Sequence, residues 1–275
     1  PHRLDKGIWI MENLTITEDK AARLTTYRIL DRYTFTVPML DPGPAATEAP
    51  IHFKIALNAA AIFARDSAAL MSDQTLSVFG LNQKLDPMRQ TIIETIARCS
   101  RNIDTFEILN LDEEAKLVLV PPLAVGDVVG ALDDREIRDY WRAATPSQRS
   151  SMMKRIRDKA PGADRFALAI LRSPVPMDSL VDLTREIWSD AQRSAYPEQA
   201  AEIDDGKTAI EWARRALSHL AGVLPALPSI ERERIEAYIL GSSDPNVHAG
   251  ARVFGIDPDH ITRLRLRASM QQQAA

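Results

Sequence analysis

The histidine and cysteine side chains of this 275-residue chain, the ones most often recruited to hold a metal or move a proton near neutral pH, are few and scattered. Five histidines stand at positions 2, 52, 219, 248 and 260, and the one cysteine is Cys99. No spacing among them matches the close ligand pairs of a zinc site. His219, beside Leu220, reads as a satisfied, semi-buried helix residue. His248 and His260 could approach each other across a turn, but no third ligand accompanies them. The 11 glycines form neither a dinucleotide-binding G-x-G-x-x-G nor a phosphate-binding loop ending in Gly-Lys-Ser/Thr. No nucleophile elbow or paired Cys/His set occurs. The acid pairs Asp133–Asp134 and Asp204–Asp205 read as helix starts, where the helix dipole favours negative charge. The expectation is therefore no metal site, no cofactor and no enzyme. An enzyme with dispersed catalytic groups stands as the third alternative.

One stretch does have patterned spacing: "VHAGARVFGIDPDHITRLRLRAS", residues 247–269. Ala251 is followed four residues later by Gly255 and, after six more, by Ile261. A small residue lets two helices approach closely. A glycine takes up the positive φ of a sharp corner. A branched apolar residue then packs back on the first helix, with Phe254, Ile256 and Leu264 extending the contact. Asp257 suits the N-cap of the second helix and Pro258 its first turn. At helical spacing Ile261, Leu264 and Ala268 face inward, while Asp259, Thr262, Arg263, Leu266 and Arg267 face outward.

This segment resembles helix-turn-helix DNA-binding motifs over about 20 residues, and the likeness does not reach the rest of the chain. The resemblance implies duplex DNA as partner, with Arg252, His260, Thr262, Arg263 and Arg267 as the contacting set. Arg263 and Arg267 would reach bases or phosphates, and Thr262 a thymine methyl or a phosphate. Three features pull the other way. Asp259 would meet phosphate repulsion, Leu266 suits a protein contact, and Gly250 weakens the first helix by about 1 kcal/mol relative to alanine. Residues 246–275 carry four basic and two acidic side chains, a thin excess for a DNA site. A structural or protein-docking helical pair is the competing reading.

The elements that must position this segment read as mainly helical. "TEDKAARLTTYRILDRY" places Leu24, Tyr27 and Leu30 on one side of a helix with Thr17 as N-cap. "YTFTVPML" suits a short strand, followed by a Pro-rich loop. "IHFKIALNAAAIFARDSAALMS" is Ala-rich and helical. Asp86–Pro87 marks a helix start. "FEILNLDEEAKLVLV", residues 106–120, alternates and predicts a β-hairpin. Thr145–Pro146 starts another helix, and Leu180, Leu183, Ile187 and Ala191 form a core stripe. Thr208 to Glu211 reads as a capping box, with Ile210, Ala213, Leu217 and Leu220 as the core face. A helix from Ser229 to a terminating Gly241 reads as the first of the C-terminal three-helix unit. The fold expected is mainly α, with a small β-hairpin in the N-terminal half and a C-terminal three-helix unit. Its regions are 1–132 (α+β), 133–228 (helical) and 229–275 (helix-turn-helix-like).

Composition fits a globular protein, with 45% hydrophobic and 26% charged residues. A net charge of −4 gives no overall hold on nucleic acid, so phosphate binding needs a local patch. Residues 133–172 hold ten basic and six acidic side chains, concentrated on "RSSMMKRIRDK", whereas residues 173–214 hold four basic and nine acidic. A solvated face, a phosphate contact and a dock for the acidic segment are the three readings of that basic helix. No apolar run approaches 18 residues, so no membrane span is expected. The lone Cys99 fits a reducing compartment, which points to the cytoplasm. Met11 is a candidate natural start. The leading expectation is a DNA-binding regulator or accessory factor whose helical body binds a protein partner or forms a homodimer. A helical adaptor or assembly protein without a nucleic-acid role is the alternative.

Overall fold

The computed structural model describes residues 2–4, 8–11, 13–158, 160–174, 180–227, 230–257, 259 and 263. The protein is mainly α, with a small antiparallel sheet at its N-terminal end. It forms two compact units, residues 1–109 with 205–275, and residues 110–204. These divisions fall elsewhere than at the three regions read from sequence.

In the first unit five strands form a meander: β1 (His2–Leu4), β2 (Ile8–Met11), β3 (Leu14–Asp19), β4 (Leu24–Ile29) and β5 (Tyr33–Pro38), each antiparallel to the next. The helix read over residues 17–33 is thus replaced by strands, with Thr17 paired to Thr26 rather than capping. The spacing of Leu24, Tyr27 and Leu30 masked a period of two, in which Thr25, Tyr27 and Ile29 are buried and Arg28 is exposed. β-Branched and aromatic residues on alternate sites favour the pleated sheet. Leu30 and Asp31 both take positive φ (51° and 56°) and return the chain to β5. The sheet's buried face carries Leu14, Tyr27, Ile29, Phe35 and Val37.

That face packs on α2 (Ala49–Ser72), which follows one short turn of helix, α1 (Pro42–Ala45). Phe53 of α2 is fully buried and meets Tyr27, Phe35 and Trp212 edge-on. The Trp212 Nε1–H donates to the Pro38 carbonyl at 2.6 Å. Trp212 belongs to α8 (Pro197–Val223), whose Ile210, Ala213, Leu217 and Leu220 are all buried, as the spacing predicts. The Thr208–Glu211 capping box is not formed, because Thr208 lies in the middle of α8. Asp204 and Asp205 are likewise mid-helix, not at a start.

The 40-residue α3 (Val78–Leu117) corrects two further expectations. It begins ahead of Asp86–Pro87 and carries Pro87 inside; Ser77 Oγ accepts the Gly80 N–H at its start. The β-hairpin at 106–120 is absent, since Phe106 to Leu117 continue the helix. Lys116 pairs with Asp112 and Glu113, each at 2.8 Å. Such i,i+3 and i,i+4 contacts support a helix where alternating apolar residues alone suggest strands. Cys99 of α3 is buried, and burial pushes its thiol up to about 11, so it serves as a small core residue. The first unit closes with α9 (Arg232–Gly241) and α10 (Pro245–Ala249). Ser229, read as the start of α9, lies outside the described residues. Gly241 is the last residue of α9 and lacks the positive φ of a terminating glycine.

The second unit holds α4 (Val128–Ala143), α5 (Pro146–Arg157), α6 (Ala163–Leu171) and α7 (Leu180–Ala195). The predicted start of α5 is present, with Thr145 at the N-cap and Pro146 in the first turn, and beyond that expectation Thr145 and Gln148 exchange the two bonds of a capping box. Asp133 and Asp134 lie inside α4, not at its start, and Asp134 is 1% exposed. Its Oδ1 stands 3.0 Å from Arg165 and its Oδ2 3.5 Å from Arg172. Arg172 also donates to the Pro121 carbonyl at 2.8 Å, so this carboxylate ties α4, α6 and the segment before α4 together. Among the described side chains of α7, Thr184 and Trp188 are buried and Leu183, Ile187 and Ala191 half-buried beside them; the side chain of Leu180, the first of the expected stripe, lies outside those described. The Trp188 indole donates to the Val118 carbonyl at 2.9 Å.

Candidate nucleic-acid interface

The segment that ends the described chain is built as a sharp corner on the first unit's core. Asp244 caps α10 by accepting the Asn246 N–H at 2.8 Å, with Pro245 at the first helical position. The helix then tightens into a 3-10 turn, Gly250–Phe254. Val247 and Ala251 are buried in the same core as Ile235 and Ile239 of α9. Gly250 explains its own presence. A Cβ there would lie 2.0 Å from the Ala97 carbonyl oxygen of α3, so only hydrogen fits between the two backbones. The residue that weakens an isolated helix is the one that lets this helix dock.

Gly255 reverses the chain with φ of 75°, the left-handed conformation its sequence position predicts. The Ile256 N–H reaches back to the Ala251 carbonyl at 3.3 Å, and the Gly255 N–H to the Arg252 carbonyl at 2.9 Å. A six-to-one bond of the first kind satisfies carbonyls at the end of a helix. Val253, Phe254 and Ile256 pack half-buried against the core. Asp257 then accepts the Asp259 N–H at 3.0 Å; the second helix it was expected to cap lies largely outside the described residues.

Of the five residues expected to contact DNA, Arg252 and Arg263 are described and both are exposed. His260, Thr262 and Arg267 lie outside the described residues, as do Pro258, Ile261, Leu264, Leu266 and Ala268. Arg263 is not wholly free. Its Nε donates to the Asp259 carbonyl at 3.1 Å and its Nη2 stands 3.4 Å from Asp257 Oδ2. The pair is solvent-exposed, 66% and 54%, so it is weak. Arg252 forms no ion pair among the described residues.

A groove of about 600 Å³ beside Arg252 was not signalled in the sequence. It is lined by Ser100, Asp104, Glu107, Arg214 and Ser218, with Val253 at the corner's edge. Arg214 forks between Asp104 (2.7 Å) and Glu107 (2.8 Å). The hydrogen bond from Arg214 holds the Glu107 carboxyl below its usual range. The two acids stand one helical turn apart on α3, a pattern visible in sequence, but Arg214 comes from α8 and only folding brings it to them. Since Arg214 neutralises part of this acidity, the cation left at the rim is Arg252.

Among the described residues no group of three His, Cys, Asp or Glu is arranged to hold a metal, and no helix is long and apolar enough to cross a membrane. The fold and the corner together define a mainly helical protein with an N-terminal β-meander and a glycine-turned C-terminal helical corner. Comparisons with known protein families, curated proteins and solved structures find no match.

Proposed function

We propose that this protein is a duplex-DNA-binding regulator or accessory factor that meets DNA with its C-terminal corner, from Arg252 onward. The observation that carries this reading is the left-handed turn at Gly255. It anchors one short helix in the core while leaving Arg252 and Arg263, on either side of the turn, at the surface. The arginines supply phosphate and base contacts; catalysis is not part of the reading. Fluorescence anisotropy on a mixed-sequence duplex tests it. Binding is expected at low salt and weakens steeply as salt rises. Arg252→Gln with Arg263→Gln is expected to make the plot of log affinity against log salt shallower by about two units, near 0.9 for each phosphate that is no longer neutralised. Unchanged binding by that variant removes the corner from the interface. Point variants are the proper tool, because truncation at Gly241 would also remove Val247 and Ala251 from the core.

A second reading, a helical adaptor or homodimer, has its own observation. Ile51, Ile55 and Ile62 of α2 are 43–49% exposed and fall on one helical face. The last of them borders an apolar hollow shared with Phe63, Pro87, Met88 and Ile92. In the DNA-binding reading this stripe serves as the partner surface of the helical body. Light scattering of wild type against Ile55→Glu is expected to show a loss of the larger species. A monomer for both at high concentration would remove the stripe from self-association.

A further inference from the structure

Helix α5 divides its twelve residues more sharply than any sequence average suggests. At the helical repeat of 3.6 residues per turn, Arg149, Met152, Met153 and Ile156 share one face. Ile156 is buried and the other three are half-buried. Arg149 fixes that face to the end of α4, donating to the carbonyls of Trp141 (3.1 Å) and Arg142 (2.8 Å) with its guanidinium over the Trp141 ring. Met152 and Ile156 close on Phe166 of α6 around a hollow of about 150 Å³. The opposite face presents Ser147, Ser150, Ser151, Lys154, Arg155 and Arg157, all exposed. These six residues cover roughly 160° of the helix with no apolar and no acidic side chain among them. The nearest carboxylate on that side is Asp158, at the C-cap.

Lys154, Arg155 and Arg157 form no ion pair among the described residues. Elsewhere in the second unit the exposed arginines Arg135, Arg142 and Arg185 are each held by an aspartate. Three cations thus share one face of a single short helix against mutual repulsion, with Asp158 at the C-cap as the one carboxylate near them. Hydroxyls interleaved with Lys and Arg are the side chains that bind phosphate oxygens in protein–DNA interfaces. An acidic protein surface would call for the cations but not for the serines. A membrane-surface helix would need large apolar side chains on its outer side, and α5 keeps its methionines and isoleucine on the inner one. We propose that the outer face of α5 is a second, sequence-independent contact for the phosphate backbone of duplex DNA. The inference rests on the reading of the protein as a DNA binder but uses residues wholly separate from the corner.

The test is the salt dependence of binding to a mixed-sequence duplex for the full chain, measured by anisotropy. Lys154→Gln with Arg155→Gln and Arg157→Gln is expected to weaken binding tenfold or more at low salt. It should also flatten the log–log salt slope by about two to three units. Arg155→Lys with Arg157→Lys should keep the wild-type slope, because phosphate neutralisation needs charge rather than a guanidinium. All three side chains are exposed, so circular dichroism and thermal unfolding should match wild type. A triple variant with wild-type affinity and slope overturns the proposal while leaving the corner reading intact. Weakened binding in the triple variant, with wild-type binding in Arg252→Gln/Arg263→Gln, supports α5 and removes the corner instead. Absence of duplex binding by the wild-type chain at low salt overturns both. A triple variant that no longer binds phosphatidylserine vesicles but keeps duplex binding assigns the face to membranes and overturns the proposal.

Discussion

Alanine in place of Gly250 is expected to destabilise the first unit by about 3 kcal/mol, the upper end of what overpacking a core does. The added methyl would stand 2.0 Å from the Ala97 oxygen and 2.6 Å from the Ala97 Cα, both backbone atoms of α3 that cannot swing aside as a side-chain tip would. Relief requires α10 and the 3-10 turn to lift from α3, and Val247 and Ala251 would leave the core with them. Hydrogen exchange should show reduced protection over residues 245–256 before the meander is affected. Equilibrium unfolding in urea should show a lower midpoint. The substitution also separates helix propensity from packing, since alanine is the better helix former by about 1 kcal/mol. A stability equal to or above wild type would mean that the close approach of α10 to α3 is not present in solution. The same variant should weaken duplex binding without removing a charge, because it unseats the corner that carries Arg252.

The second large effect is expected at Asp134. Its carboxylate is almost wholly buried and faces Arg165 and Arg172, whose side chains are 36% and 14% exposed. The Oδ1 contact with Arg165 is an ion pair without hydrogen-bond alignment, so attraction between charges, more than directed bonding, holds it. Asp134→Ala leaves the mostly covered Arg172 guanidinium without its counter-charge. Removing one partner of a buried pair costs about 3–5 kcal/mol, most of it from the stranded ion. The lower figure is expected here, because Arg165 can turn to water. Asp134→Ala combined with Arg172→Met should recover part of the loss, since the stranded charge goes too. Hydrogen exchange at α4 and α6 is the measurement to use, because a chain with two units need not unfold in one step. A double variant as unstable as the single one would show that the carboxylate acts through packing or hydrogen bonding and not through charge.

What the sequence disclosed was largely what local chemistry decides. Thr145 and Pro146 begin a helix because a hydroxyl and a fixed φ suffice there, and the structure keeps both. Gly255 takes its positive φ as its position requires. The stripe from Ile210 to Leu220 is buried because its spacing leaves one apolar face. The errors lie where two patterns fit the same letters. Residues 24–30 satisfy a three-residue period and a two-residue period, and the sheet prevailed because Tyr27 and Phe35 meet Phe53 on the same side, where Ile29 is buried in the same cluster. Residues 106–120 alternate, yet Ile108, Leu109 and Leu111 are exposed on a helix, so their alternation reports no buried face. Pro87 reads as a beginning but sits inside α3, where the helix tolerates one missing N–H. At the candidate interface the corner and the exposure of Arg252 and Arg263 were legible. The role of Gly250 was not, because its reason lies on Ala97, far away in the chain. Asp134 was misread as a helix-start acid for the same cause: its partner Arg172 is 38 residues distant.

The first unit is assembled from two stretches far apart in sequence, residues 1–109 and 205–275, with 110–204 between them in the chain. A ribosome therefore delivers Phe53, Ile93 and Ile96 long before Leu217, Leu220 and Ile235, their companions in one hydrophobic cluster. Through that interval the early half has apolar surface with nothing to cover it, the condition under which nascent chains aggregate or recruit chaperones. The intervening segment can reach its own compact state in the meantime, so synthesis rate and chaperone supply should govern the yield of this protein more than its final stability does.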